Sequence, residues 1–179
     1  MSTNSNPAAN PAANPSANPS ANPAGLTPER VWGTLAKSSF AVMSHVTASG
    51  EPRSSGVVYG TDGHRVLVVV AADSWKARTI RDDQIVSFTV PVRRGGLLSL
   101  LFPIPPAVIN FRARAHVGEP CMLDKSALPP KFSRLLPPPT EPSCVLELTP
   151  EGNFLTYGIG VSLMNMRHPE IAQARVPVG

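Results

Sequence analysis

The stretch that decides the fold runs from position 46 to position 90 and reads VTASGEPRSSGVVYGTDGHRVLVVVAADSWKARTIRDDQIVSFTV. Its apolar runs are only five to nine residues long, and turn-forming pairs such as Ser49-Gly50 and Asp62-Gly63 separate them. Runs of that length between turns are typical of strands, not of helices. The valine-rich run 66–70 is typical of a strand that is covered on both faces.

Outward from this stretch, the same pattern predicts more strands and a few short helices. Thr27 and Pro28 have the residue types of a helix cap and a first helical turn, so a helix is expected over 26–37. Six or so strands with only short helices favour a β-barrel or sandwich over an alternating α/β sheet. The expected strands are 40–47, 52–59, 65–72, 85–92, 108–117, 144–148 and 154–160, and the further short helices are 75–81 and 131–136.

The N-terminal residues differ in composition from the rest of the chain. Asn-Pro recurs every four residues from Asn6 to Pro23, with alanine and serine between. Proline disfavours helix, and small residues bury too little apolar surface to offset the entropy of ordering. We therefore expect a disordered tail over 1–25, either a plain spacer or a docking peptide, and one domain over 26–179.

Charge and composition exclude several classes of function. The net charge of +4 suits an anionic small molecule, but charged residues make up only 16% of the chain and form no dense basic run, so no nucleic-acid partner is expected. The four histidines are scattered without the spacing of metal ligands, so no metal site is expected. The absence of a leader-like segment in the first two dozen residues favours a cytoplasmic protein.

One internal segment is strongly apolar. Residues 95–110 carry no charge, and the run 97–106 reads LLSLLFPIPP. It is too short and too rich in proline for a transmembrane helix, which needs about 20 apolar residues. Two interpretations stay open: a loop that covers the barrel or a partner subunit, and a shallow contact with a membrane.

In its order of elements, the chain resembles the pyridoxamine 5'-phosphate oxidase-like split barrels, which bind FMN or the deazaflavin F420. The resemblance covers residues 26–118 well and the remainder loosely. It implies a mainly β fold, a six-stranded split β-barrel with short flanking helices, and a homodimer with the cofactor groove between two subunits. The motifs that carry it are Gly50-Glu51-Pro52, the small-residue strand 53–57, the strand 66–70, Ser74-Trp75-Lys76 and the strand 85–90.

The residue types at the predicted second helix suit a cofactor phosphate. Ser74, Lys76 and Arg78 offer a hydroxyl and two cations at the start of a helix, a set that binds phosphate oxygens well. Without the resemblance, the two cations would equally be solvated charges on a surface helix.

A flat ring needs a strand without bulky side chains, and Ser54, Ser55, Gly56 and Val57 provide one. The equivalent strand contacts the flavin ring in the family. Without the resemblance, Ser54 and Ser55 would be ordinary solvent-facing strand residues. Trp75 is either a contact at the edge of the flavin ring or an anchor in the core.

These features predict an FMN- or F420-dependent oxidoreductase that acts on a small-molecule substrate. The cofactor ring carries the hydride in such enzymes, and no catalytic residue is identified. The oxidase's arginine-containing substrate motif has no counterpart in the final residues QARVPVG, so the vitamin B6 reaction is not expected. The acidic tail of F420 would suit Arg53, Arg93, Arg94 or Arg112. The alternative is a non-catalytic protein that binds or carries a cofactor, haem or another tetrapyrrole.

Overall fold

A computed structural model describes residues 22–80, 82–94, 104–138 and 140–179 of the chain. Within these residues the fold is mainly β, with seven antiparallel strands in one sheet. The strands are β1 (Phe40–Val46), β2 (Pro52–Thr61), β3 (Val66–Ala71), β4 (Gln84–Val92), β5 (Ala107–Val117), β6 (Ser143–Tyr157) and β7 (Gln173–Pro177).

The sheet closes on itself. Its strand order is β3-β2-β1-β4-β5-β6-β7, and β3 also pairs with β6. This second pairing joins Val66 to Leu148 and Ala71 to Ser143, so six strands form a closed barrel. The far half of β6 pairs with β7, which is an additional strand outside the barrel. The predicted six-stranded barrel is thereby confirmed.

The barrel interior is filled by apolar side chains, because inward and outward residues alternate along each strand. An aromatic row crosses this core. Phe88 contacts Tyr59 on one side and Phe111 on the other, each with ring centroids 5.4 Å apart, and Phe111 contacts Phe154 at 5.3 Å. Two of these contacts, Tyr59–Phe88 and Phe111–Phe154, are edge-to-face, and aromatic pairs of this kind add to the stabilisation from burial.

Four short α-helices flank the barrel within the described residues: α1 (Pro28–Leu35), α2 (Trp75–Thr79), α3 (Pro130–Leu135) and α4 (Pro169–Ala172). Thr27 caps α1 as expected, with its Oγ1 accepting a hydrogen bond from the amide of Arg30. The helix buries Val31 and Leu35 against the core.

The C-terminal third differs from the prediction. The sequence predicts two separate strands over 144–148 and 154–160. The structure has one strand instead, since β5 pairs along nearly its whole length, with a register shift between Asn110 and Arg112. Helix α4 and strand β7 were not predicted.

Three predicted segments reach beyond the described residues. Residues 1–21 of the tail, 97–103 of the apolar segment and Arg81 at the predicted end of the second helix all lie outside them. Asn22, inside the described part, makes a turn in which its side chain bonds both the amide and the carbonyl of Leu26.

Candidate functional site

An open groove of about 810 Å³ lies where α2 faces the turn between β1 and β2. Its lining includes three predicted site residues, Ser54, Trp75 and Arg78, together with Arg53 and Thr79. The other predicted residues lie near the groove without lining it. They are Ser55, Gly56 and Val57 on β2 and Ser74 and Lys76 at the start of α2.

Ser74 fixes the start of α2. Its Oγ accepts a hydrogen bond from the amide of Ala77 at 3.3 Å, so the hydroxyl serves as the N-cap of the helix. This cap orients the first turn of α2, and with it the side chains that follow Ser74.

The two cations of α2 point to different places. The Nζ atom of Lys76 lies 5.4 Å from the centre of the Trp75 indole, within the range of a cation–π contact. Arg78 is exposed and lines the groove, where Arg53 joins it from β2. Arg53 Nη2 also lies 2.8 Å from Glu51 Oε2. The groove therefore presents two guanidinium groups and one carboxylate at its rim.

A buried histidine lies beneath the indole. His45 is 4% exposed, its ring stacks on that of Trp75, and its Nε2 lies 3.0 Å from Thr79 Oγ1. Thr79 Oγ1 donates to the carbonyl of Trp75 at 2.8 Å, so it accepts from a protonated Nε2. His45 Nδ1 is then an acceptor, and it has no partner among the described residues. Burial lowers the pKa of this imidazole and favours its neutral form.

Sequence reasoning named Arg53 only as a cation for the acidic tail of F420, and it missed His45 as a support of the groove. A signal for His45 was present, because it lies two residues after Met43 and therefore on the inward face of β1. A histidine on an inward face needs a hydrogen-bond partner, and Thr79 supplies it.

The predicted ring-binding strand has two faces. Ser54 and Gly56 point outward, and Ser54 Oγ lies 2.7 Å from Ser44 Oγ on β1. Ser55 and Val57 point inward, and the buried Ser55 Oγ has no partner among the described residues. The four residues therefore do not share one surface of the strand. That they line a cofactor ring stays a prediction.

Gly56 allows an aromatic ring to lie against the strand. A Cβ at this position would be 2.9 Å from Cε2 of Phe40, whose side chain is half exposed on the outer face. The outward surface beside the groove is therefore partly aromatic.

In the described ranges, no three His, Cys, Asp or Glu side chains come together as possible metal ligands. Nor does any helix in those ranges have the length and apolar character required to cross a bilayer.

Comparison with known proteins finds no matching family and no matching curated protein. Solved structures do match. An F420 reductase superposes with a TM-score of 0.50 at 16% identity, covering 68% of this chain and 93% of that one. A protein from Listeria innocua assigned as a pyridoxamine 5'-phosphate oxidase has a TM-score of 0.50 at 14% identity, covering 69% and 93%.

The heme storage protein HutZ from Vibrio cholerae has a TM-score of 0.55 at 14% identity, covering 74% of this chain and 96% of that one. At such identities the likeness concerns the fold. The strand order, the closure through β3 and β6 and these superpositions agree with one another. The chain therefore has the split-barrel fold of the pyridoxamine 5'-phosphate oxidase-like proteins.

Proposed function

We propose that the protein is a cytoplasmic FMN- or F420-dependent oxidoreductase that acts, as a homodimer, on a small-molecule substrate. The observation that carries the proposal is the pair of guanidinium groups, Arg53 and Arg78, on a groove beside α2. An F420 reductase and an assigned pyridoxamine 5'-phosphate oxidase share the surrounding fold.

The donor set of the groove fits the anionic end of such a cofactor. Arg53 and Arg78 offer forked N–H donors that match phosphate oxygens, and the hydroxyls of Thr47, Ser49 and Ser54 add neutral donors. Lys76 lies over the indole and raises the positive potential nearby. When bound, the flavin or deazaflavin ring would supply hydride transfer.

The base of the groove is held rigidly. His45 on β1 is joined to α2 by one ring stack with Trp75 and one hydrogen bond with Thr79, and Thr79 also donates to the carbonyl of Trp75 within α2. This network fixes the direction of α2, and so it would position Arg78 for the cofactor.

The homodimer is supported by an uncharged outer surface next to the groove. Phe40 is 50% exposed and Val58 is 42% exposed, and the two residues are cross-strand partners on β1 and β2. Exposed apolar surface of this extent on neighbouring strands is typical of a protein interface. The outward residues of β2, β1 and β4 are Ser54, Gly56, Val58, Phe40, Val42, Ser44, Ile85, Ser87, Thr89 and Pro91.

FMN is the first choice of cofactor, and F420 is the alternative. FMN needs cations only for one phosphate, and the groove supplies two. The acidic tail of F420 would need more cations than these two. Arg93 and Arg112 are exposed, whereas Arg94 already donates to the carbonyl of Val161.

Fluorescence titration of the purified protein with FMN and with F420 tests the proposal. Replacing Lys76 and Arg78 together with alanine should weaken binding of the preferred cofactor by about tenfold or more, a loss of about 1.4 kcal/mol. The control variant, Arg30→Ala with Arg167→Ala, removes two exposed cations elsewhere and should leave binding unchanged. Equal affinity of the Lys76/Arg78 variant and the wild type would refute the phosphate assignment.

A second candidate is a carrier that binds haem, another tetrapyrrole or a cofactor without turnover, and the match to a heme storage protein favours it. A Soret band that saturates at one haem per chain, with no reduction of quinone or dye acceptors under reduced FMN or F420, would support the carrier. Acceptor reduction under either cofactor would support the oxidoreductase.

A further inference from the structure

A second groove, of about 700 Å³, lies near the other end of β2. One wall is the segment 36–39 that follows α1, and the other is 129–135, which contains α3. It contacts β2 at residues 59–61, whereas the first groove contacts β2 at Arg53 and Ser54. At about 3.3 Å per residue, the two grooves are some 15–20 Å apart along the strand.

The floor of this groove is apolar and tightly packed. Tyr59 and Phe132, each about 1% exposed, lie there on either side of Gly60. A Cβ at Gly60 would be only 2.4 Å from the Cβ of Phe132, so α3 lies directly on the backbone of β2. The side chain of Leu135, half exposed, extends this apolar surface to the rim.

The rim is basic. Lys37, Lys131 and Arg134 line the groove and are exposed, and within the described part of the chain none of them forms an ion pair. Lys131 and Arg134 are three residues apart on α3 and therefore neighbours on the helix surface. Among the described lining residues there is no aspartate or glutamate.

We propose that this groove binds a small amphiphilic anion. The apolar body would lie against the exposed side chains of Pro130 and Leu135, over the buried floor of the groove, and the acidic head group would contact Lys131 and Arg134. The volume is within the range of about 300–1,000 Å³ that is usual for sites of organic ligands. Three cations without a carboxylate partner supply the charge complementarity that selects an anion. The proposal is independent of the cofactor groove.

A pair of fluorescent probes separates charge from apolar contact. The anion is 8-anilino-1-naphthalenesulfonate, and N-phenyl-1-naphthylamine is its neutral counterpart with the same aromatic body. Lys131→Gln with Arg134→Gln should weaken binding of the sulfonate about tenfold and leave the neutral probe unchanged. Leu135→Glu adds a carboxylate and removes an apolar side chain at the rim, so it should weaken both probes and weaken the sulfonate more. All three side chains are exposed, so the variants retain the fold.

The control variant, Arg30→Gln with Arg167→Gln, loses the same charge elsewhere and should bind the sulfonate like the wild type. Amide NMR signals then locate the probe, and those of Gly60 and Leu135 should shift on addition of the sulfonate. Equal sulfonate affinity in the Lys131/Arg134 variant and the wild type, or unshifted Gly60 and Leu135 signals at saturation, would overturn the proposal.

Discussion

The imidazole of His45 stacks on the indole of Trp75, with ring centroids 5.8 Å apart and ring planes inclined by 22°. His45 belongs to the barrel interior and Trp75 to the short helix above it. Trp75 thus shields a buried polar ring from water while 39% of its own surface stays exposed in the groove. Trp75 therefore packs on a buried residue and also lines the groove, and its contact with a cofactor ring stays a prediction.

The stability of the protein should depend on the charge of His45. Because burial lowers the pKa of this imidazole, the unfolded chain takes up a proton at a higher pH than the folded chain does. The free energy of unfolding should therefore fall as the pH drops below about 6.5, the usual histidine value, and level off below the folded pKa. Urea unfolding between pH 8 and pH 5 measures this.

The variant His45→Gln removes the titrating group and keeps a polar side chain. Its free energy of unfolding should change less between pH 8 and pH 5 than that of the wild type. If both proteins have the same pH dependence, another group is responsible and the assignment to His45 is wrong.

Gly60 should not tolerate alanine. The added methyl group would meet Phe132 at 2.4 Å and push α3 off β2, and overpacking of this kind costs about 1–3 kcal/mol. Thermal unfolding followed by circular dichroism measures the loss. Gly33→Ala is the matched control, because Gly33 is an exposed residue of α1 with open space around it.

The control variant Gly33→Ala should stabilise the protein by about 0.5–1 kcal/mol, since alanine favours helix more than glycine does. A Gly60→Ala protein as stable as the wild type would contradict the direct seating of α3 on the strand.

The hydroxyl of Tyr59 joins α1 to the barrel. It donates a hydrogen bond of 2.8 Å to the carbonyl of Leu35, and both residues are buried. Tyr59→Phe keeps the ring and deletes this bond, so the free energy of unfolding should fall by about 1 kcal/mol. Chemical denaturation measures this difference in the free energy of unfolding. An unchanged denaturation midpoint would show that the hydrogen bond does not contribute to stability.

A single charge should break the proposed dimer. Val58→Arg places a guanidinium beside Phe40 on the uncharged outer surface, and burial of an unpaired charge is costly. Sedimentation velocity should then show a monomer with native circular dichroism. Met122→Arg, at another exposed apolar residue, is the control and should remain dimeric. A dimeric Val58→Arg protein would place the interface elsewhere.

Much of the barrel was predictable because its signals are local. Turn residues at Gly50 and Gly63 mark the hairpins, and both glycines adopt the positive φ that such turns favour. Thr27 caps α1 and Ser74 caps α2, both at positions with residue types that favour helix caps.

The C-terminal third depends on distant pairing, which local patterns do not record. Strand β6 continues through Pro150 and Gly152 because β5 pairs beside it. The candidate site also depends on residues that are distant in sequence, and local patterns do not show that such residues meet. The chain places Arg53 and Arg78 25 positions apart, and only the barrel brings them to one groove. Side chains alternate between the two faces of a strand, so residues 54–57 of β2 cannot all face one ligand. The predicted ring-binding set does not take account of this alternation.

The pairing of β3 with β6 also constrains how the protein is made. Ala71 and its partner Ser143 lie 72 positions apart along the chain. During synthesis the β3 edge therefore stays open until the sixth strand has left the ribosome, and a nascent chain exposes it throughout that interval. The last quarter of the polypeptide thus controls when the first hairpins become protected from aggregation.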